Sequence, residues 1–394
     1  MILHITIPAY IQTALNTLET AGFEAYLVGG CVRDALLGQQ PEDFDIATNA
    51  LPEQTLALFE GQYEVLTNGQ KHGTITPIIG HKPVEITTYR IDGDYTDNRH
   101  PDSVQFSRCL EDDLARRDFT VNALAYSETQ GLVDRFGGQE DLHNKILRCV
   151  GEPDARFGED ALRILRALRF GAVLGFSVES ETAASMRRNM QTIQTVSAER
   201  IYTELKKLLA GDYAANMLKE FPGLVQTLLD IRITPAKTHA LAKPGDAAFR
   251  LSVLFLGEEV ENLRRLKPDN KTYRYVQFFV RAYRLPLTQE QTTCAGLARF
   301  MYENGMDVSQ MRTLLRLHAY MEPLFEAQAF PLEQVEAQHI PLSIAALAVN
   351  GSDLTALGYA GKAVKVELDR LLKAAIDGKC PNEKEALLKY TEKP

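Results

Sequence analysis

The run Gly29-Gly30-Cys31-Val32-Arg33-Asp34, followed closely by Asp43-Phe44-Asp45, joins a glycine turn to a pair of carboxylates. Side chains in a strand repeat with a period of two, so Asp43 and Asp45 share one face while Phe44 turns into packing. Adjacent carboxylates repel unless cations neutralise them, and Mg²⁺ is a hard ion that favours such oxygens together with substrate phosphates. Ions held there can lower the pKa of an attacking hydroxyl and steady a triphosphate with its pyrophosphate leaving group. Gly29 and Gly30 clear side chains from a turn whose backbone amides approach phosphate, and Arg33 adds a charge-assisted contact. An isolated acidic triplet after Pro41 equally suits a solvated loop; the preceding glycine turn favours phosphate chemistry. The run is neither a Walker A loop nor a dinucleotide-binding fingerprint.

These residues need a scaffold. Ile11 to Leu18 has the spacing of a short amphipathic helix, Ala21-Gly22 interrupts it, and Ala25 to Val28 is an apolar strand that runs straight into the glycines. Val32 to Leu37 begins a helix. Further strands are expected at Phe44–Ala47, Tyr63–Leu66, Gly73–Ile79 and Lys82–Arg90. In the last of these, Glu85 faces opposite to Val84 and Ile86, a parity that makes it a candidate third oxygen donor for metal. Beyond residue 150 the spacing turns helical, over Asp160–Phe170, Val178–Asn189, Glu199–Leu209 and most later segments. The reading is a mixed α and β head followed by helical regions, divided as 1–150, 151–225, 226–330 and 331–394.

The chain has 394 residues, enough for two to four domains with cores of their own. A formal net charge of −9 argues against indiscriminate coating of nucleic acid, although a local basic face still docks a polyanion. Cys31, Cys109, Cys149, Cys294 and Cys380 are odd in number and widely spaced, which suits reduced thiols rather than disulfides or zinc. The first residues lack the pattern of a secretion signal and no apolar run has the length of a membrane span, so a cytoplasmic protein without membrane contact is expected.

Three segments carry a family resemblance. GGCVRDALLG with EDFDIAT, then LARRDFTVNALAY, then GEPDARFGEDALRILRALRFGAVLGF, resemble the class II tRNA nucleotidyltransferases, specifically CCA-adding enzymes of the compact Gram-positive type. The likeness is dense over residues 22 to 210 and continues weakly through the last segment. It implies an α+β fold in which a polymerase β-like nucleotidyltransferase head with a mixed β-sheet precedes predominantly helical neck, body and tail domains. It also implies that Asp43 and Asp45 bind the catalytic metals, that Arg117 contacts the incoming nucleotide, and that Asn122 lies near the ribose or scaffolds the site. From the residues alone, Phe119 to Leu124 reads as the buried side of a helix start. Asp118 is placed to cap it or to anchor an arginine.

The segment from Glu159 is expected to be one helix with Asp160, Arg163 and Arg166 at a spacing of three, and Arg169 one step further, above packing residues Leu162, Leu165, Leu168 and Phe170. Such a stripe suits a solvated face, but it also suits base recognition. Cytosine and adenine both present a ring-nitrogen acceptor beside an exocyclic amino donor. A carboxylate at Asp160 accepts from the amino group while a guanidinium at Arg163 donates to the ring nitrogen. Uracil and guanine reverse both roles, which costs on the order of 1 to 3 kcal/mol for a bidentate contact. The family's neck motif implies the same assignment for EDALR, with Arg166 and Arg169 supporting the nucleotide or its phosphates.

A primer strand must also dock. Arg264, Arg265, Lys267, Lys271, Arg274, Arg281 and Arg284 lie among Tyr273, Tyr275, Phe278, Phe279 and Tyr283, and Lys362, Lys365, Arg370 and Lys373 follow in the tail. These helices suit recognition of folded RNA by shape, or alternatively a solvated charge face over an aromatic core. The expected activity is addition of C, C and A to the 3′ end of tRNA from CTP and ATP with Mg²⁺. Poly(A) addition, partial CC or A addition and a non-enzymatic RNA-binding module are the alternatives. The resemblance ties the segment Asp92 to Val104 to terminal A addition. Whether two copies form a homodimer is left open.

Overall fold

The computed structural model describes residues 5–93 and 104–392. The segment 94–103, which makes up most of the stretch tied above to terminal A addition, lies outside the described residues. Two compact units divide the chain: Met1–Ile233 with Asn262–Pro268, and Thr234–Glu261 with Asp269–Pro394.

The first unit opens with α1 (Ala9–Thr20), which buries Ile11, Ala14, Leu15 and Leu18 along one stripe. Then come β1 (Ala25–Val28), α2 (Gly30–Leu36), β2 (Asp45–Thr48), α3 (Pro52–Phe59), β3 (Val65–Leu66), β4 (Thr74–Ile79), β5 (Lys82–Pro83), β6 (Glu85–Thr88), β7 (Arg90–Asp92) and β8 (Val104–Phe106). After α4 (Leu110–Ala115), the strands β9 (Leu124–Ser127) and β10 (Gly131–Asp134) complete the head. The main sheet runs β10-β9-β1-β2-β6-β4-β3, with β5 paired to β4. Only β2 and β6 pair in parallel within it, so the sheet is mixed as expected. Strand β1 is buried at every position because it lies mid-sheet, and Tyr26 and Val28 join Ala47, Tyr89, Leu114, Ala123 and Ala125 in the core on one side.

Helical elements take over after α5 (Gly138–Asn144) and β11 (Ile146–Leu147), which pairs with β12 (Ser177–Val178). They are α6 (Pro153–Glu159), α7 (Leu162–Leu174), α8 (Ser180–Asn189), α9 (Ala198–Ala210), α10 (Ala214–Glu220) and α11 (Gly223–Leu229). Helix α7 packs against α9. The second unit is helical throughout, from α12 (Pro235–Leu241), α13 (Ala247–Phe255) and α14 (Asn270–Tyr283) to α15 (Cys294–Glu303) and α16 (Val308–Met321). It continues with α17 (Leu332–Ala337), α18 (Gly351–Ala356), α19 (Lys362–Ile376) and α20 (Lys384–Tyr390). All five cysteines are unpaired, and no helix among the described residues is long and apolar enough to cross a membrane.

Three local expectations are corrected. The stretch 82–90 is not one strand: it divides into β5, β6 and the start of β7, with Pro83, which has no N–H to donate, ending the first piece. Phe119 to Leu124 does not begin a helix: Thr120–Asn122 is a single 3₁₀ turn, and β9 follows. The unbroken burial of Val121, Ala123, Leu124 and Ala125 suits a central strand covered on both faces. The third correction concerns Asp160. It does not lie within a helix but between α6 and α7, in extended conformation at φ −142° and ψ 103°. Its Oδ1 accepts the Leu162 N–H at 3.0 Å, so the side chain satisfies an orphan donor of α7 while breaking the helix.

Candidate active site

The site forms where β1 gives way to α2. Gly29 makes this turn at φ +75°, and a Cβ there would fall 2.8 Å from Arg117 Nη1. The positive φ favours glycine, and a side chain there would also have to displace the tip of Arg117. Gly30 is different: a Cβ on it would meet only Arg33 at an ordinary 3.6 Å, so its missing side chain leaves open space rather than relieving a clash. Above this turn opens a cavity of about 770 Å³. It is lined by Gly29, Gly30, Arg33, Asp43, Asp45, Arg117, Asn122, Asp160, Arg163, Arg166 and Arg169, all of which were singled out from the sequence. Glu85 does not line it.

Asp45 is the first residue of β2 and Asp43 lies just before the strand. Both are exposed, whereas Phe44 and Ile46 between and beyond them are buried, so the two-residue parity survives at the strand's end. Asp45 is exposed at the cavity yet flanked closely enough by protein that burial raises its pKa; Arg117 opposes this rise and Asp43 reinforces it. Glu85 stands in register beside Asp45 on the parallel strand β6. Burial, then Asp45 and Asp43, raise its pKa too. Asp45 and Glu85 therefore stand in an excess of negative charge that Arg117 only partly offsets, and the oxygen donors of Asp43 and Asp45 suit a hard cation. Among the described residues no group of three or more His, Cys, Asp or Glu side chains is placed to hold a metal ion, so Glu85, offered above as a third oxygen donor, does not join Asp43 and Asp45 as a ligand. An open site of this kind leaves most ligand positions to water or substrate oxygens, as Mg²⁺ favours.

Opposite the carboxylates, buried acids hold the arginines. Asp113, fully buried in α4, accepts from Arg116 Nε at 3.0 Å and Nη2 at 2.6 Å, and from Arg117 Nη2 at 3.0 Å. Burial disfavours its charge, but Arg117 and Arg116 overcome this and lower its pKa. Asp118 anchors a second group. Its Oδ2 takes Arg166 Nε at 2.9 Å and Nη2 at 2.6 Å, and its Oδ1 takes the Phe119 N–H and Asn122 Nδ2 at 2.8 and 3.0 Å. Burial would raise its pKa, yet Arg166 and these hydrogen bonds bring it down to about 2. Asn122 passes the network on by accepting from Arg33 Nη1 at 2.6 Å.

The proposed base readers are also held. Arg163, in a stripe whose spacing suits either a solvated face or base recognition, is only 9% exposed. Its guanidinium donates to the carbonyls of Arg156 and Arg116 at 3.1 and 3.0 Å and to Glu159. An arginine has five N–H donors, so two remain beyond these three bonds. Asp160 Oδ2 accepts from Arg200 Nη2 at 2.7 Å. Arg200, on α9, also lines the cavity and was not anticipated: forty residues separate it from Asp160, so no local spacing reveals the pair. Asp113 was also missed, although its separation from Arg116 and Arg117 by three and four residues is a helix-face signal.

A mixed sheet that presents two carboxylates beside an arginine-lined cavity, with helices behind the arginines, defines a nucleotidyltransferase. A family model described as "Poly A polymerase head domain" matches residues 25–148. Two more, "Probable RNA and SrmB-binding site of polymerase A" and "tRNA nucleotidyltransferase domain 2", match residues 175–223 and 250–391. The CCA-adding enzyme of Geobacillus thermodenitrificans is 38% identical over 404 aligned positions, covering 95% of this chain and 94% of that one. That of Streptococcus sanguinis is 36% identical and covers 98% of each. The crystal structure of the Bacillus stearothermophilus CCA-adding enzyme in complex with CTP superposes with a TM-score of 0.77 at 31% identity, over 98% of this chain and 97% of that one. The Thermotoga maritima CCA-adding enzyme complexed with tRNA shares the fold, at a TM-score of 0.68 and 19% identity over 98% and 95% of the two chains. The chain belongs to the CCA-adding enzyme family.

Proposed function

We infer that this chain adds C, C and A to the 3′ end of tRNA from CTP and ATP, with release of pyrophosphate. The observation that carries the reading is the meeting, in one cavity, of a carboxylate pair suited to metal and an aspartate–arginine pair suited to the Watson–Crick edges of C and A. End-to-end likeness to CCA-adding enzymes supports the tRNA substrate.

Asp43 and Asp45, both on the cavity wall, would hold Mg²⁺. When bound, the metal supplies charge that acidifies the primer hydroxyl and stabilises the leaving pyrophosphate. The turn at Gly29 and Gly30, with Arg33, Arg166 and Arg169, positions the triphosphate. Arg117 and Asn122 hold the nucleoside end. Asp160 accepts the exocyclic amino group, using lone pairs left after its bonds to Leu162 and Arg200. Arg163 donates one of its two remaining N–H groups to the ring nitrogen. With no nucleic-acid template, both C and A satisfy this edge, while U and G leave the charged groups mispaired.

In the same reading, residues 1–150 are the catalytic head, 151–225 the nucleotide-selecting neck, 226–330 the body and 331–394 the tRNA-binding tail. The protein works in the cytoplasm, where its reduced cysteines are at home. The test supplies tRNA that ends before CCA, Mg²⁺ and labelled CTP or ATP, and sequences the product ends. Ends completed to CCA support the reading; long A tails on general RNA, or binding without extension, refute it. The D43A/D45A double variant is expected to lose extension by at least about a thousandfold while retaining tRNA binding, because the metal's charge supplies several kcal/mol to the transition state only.

A further inference from the structure

Phe170 is a buried residue of α7 that reads from the sequence as packing alone. In the fold its ring packs edge-to-face on Phe119, with centroids 5.8 Å apart at 82°. It also lines the cavity, and three guanidiniums gather over it: Arg169 at 4.0 Å from the centroid, Arg33 at 5.2 Å and Arg166 at 5.5 Å.

Like charges do not assemble without a reason. Each arginine has a carboxylate partner: Asp34 for Arg33 at 2.7 Å, Asp118 for Arg166 at 2.6 Å and Glu204 for Arg169 at 2.8 Å. The first two pairs are hydrogen-bonded. The third is not in line, for neither Arg169 Nε nor Glu204 Oε2 has a hydrogen-bond partner although both atoms are buried. Burial lowers the pKa of Arg169, Glu204 opposes this, and the nearby Arg166 and Arg33 push the same way as burial. The Glu204 ion pair and the negative face of the Phe170 ring therefore share in orienting Arg169, the ring from the side that faces the cavity's other arginines.

We propose that Phe170 is a positioning residue for the reaction: its ring gathers Arg33, Arg166 and Arg169 on one side of the cavity, so that a cluster of positive charge is ready for the polyphosphate tail of the incoming nucleotide. The proposal rests on the nucleotide-triphosphate reading above. It adds that the triphosphate site is organised by an uncharged residue with no hydrogen-bonding group. Because the ring orders charge and does not touch the base, its loss weakens recognition of the phosphates and leaves recognition of C unchanged.

The test measures equilibrium binding of CTP and CMP in EDTA, so that arginines rather than metal carry the difference, to wild type, F170L and F170Y, with foldedness followed by circular dichroism. F170L keeps apolar bulk and removes the π face; F170M serves if F170L does not fold. F170L is expected to bind CTP about tenfold more weakly, the scale of one desolvated cation–π contact, while CMP binding moves less than about twofold. F170Y keeps the ring and is expected to match wild type. Equal weakening of CTP and CMP in F170L would show a structural role only, and no change in either, or a loss in F170Y equal to that in F170L, likewise overturns the proposal. Wild-type protein that binds CTP no better than CMP refutes the assignment of the arginines to the triphosphate itself, which separates that failure from the failure of Phe170 alone.

Discussion

Replacing Asp118 by asparagine tests the electrostatic frame of the site most directly. Asp118 is 8% exposed, and a single carboxylate there satisfies Arg166 twice, Asn122 once and the Phe119 amide once. Holding its carboxyl at about 2 instead of the ordinary 3.8 corresponds to roughly 2 kcal/mol of preference for the ionised form. The sign follows from linkage. The folded-state pKa lies below the unfolded one, so the stabilisation is complete above the unfolded value near 4 and disappears as the pH falls through about 2. Asparagine retains the shape but not the charge, and leaves the Arg166 guanidinium facing a neutral amide. Breaking a fully buried pair costs about 3 to 5 kcal/mol; the Arg166 side chain is 33% exposed, so about 2 to 3 kcal/mol is expected at pH 7. Urea denaturation followed by far-ultraviolet circular dichroism suits a chain that has no tryptophan. The gap between wild type and D118N should narrow by about 2 kcal/mol between pH 5 and pH 2, because only the wild type has this group to protonate. A gap that stays constant over that range, or D118N as stable as wild type at pH 7, would refute the reasoning.

Further outcomes follow from the same contacts. The D160R/R163D double variant should shift single-turnover incorporation from CTP and ATP toward UTP and GTP, at a cost of about 3 kcal/mol in stability because an aspartate at 163 faces two carbonyls and Glu159; unchanged nucleotide preference counts against the base-reading pair. R200Q should lower kcat/KM for CTP and ATP together by about fivefold to tenfold, less than the full worth of a charge-assisted bond to Asp160 because the glutamine amide keeps a neutral donor, while denaturation midpoints barely move; undiminished turnover shows that Arg200 does not position Asp160 for the reaction. Burial pushes the thiols of Cys31 and Cys149 up to about 11 and about 12, so iodoacetamide at pH 8 should modify exposed Cys109 and spare these two. Mass-spectrometric mapping of adducts on Cys31 or Cys149 in the folded protein would contradict that burial.

Much of the chemistry was legible because it rests on short periods. The two-residue repeat put Asp43 and Asp45 on one side and Glu85 opposite Val84 and Ile86, and the burial pattern agrees at every one of those positions. A local apolar run located β1 at Ala25–Val28, and glycine's freedom at positive φ located the turn that follows. Local patterns misled where two structures share a spacing. The residues from Asp160 onward have helical periodicity throughout, but an aspartate that accepts a backbone N–H two residues ahead offers the chain an alternative to the helix, and the break occurs there.

Chain folding decided everything that depends on distant partners. Types and spacing by themselves determined that the protein carries a carboxylate pair, a glycine turn after an apolar strand, and an aspartate and an arginine three residues apart, the pair proposed to read C and A. Only tertiary structure decided that Arg200 holds Asp160, that backbone carbonyls of Arg116 and Arg156 take up part of Arg163, and that one phenyl ring collects three arginines. The physical reason is that charge and hydrogen-bonding capacity belong to each residue and can be read one at a time. Which charge meets which depends on burial, and burial is a property of the whole packed unit.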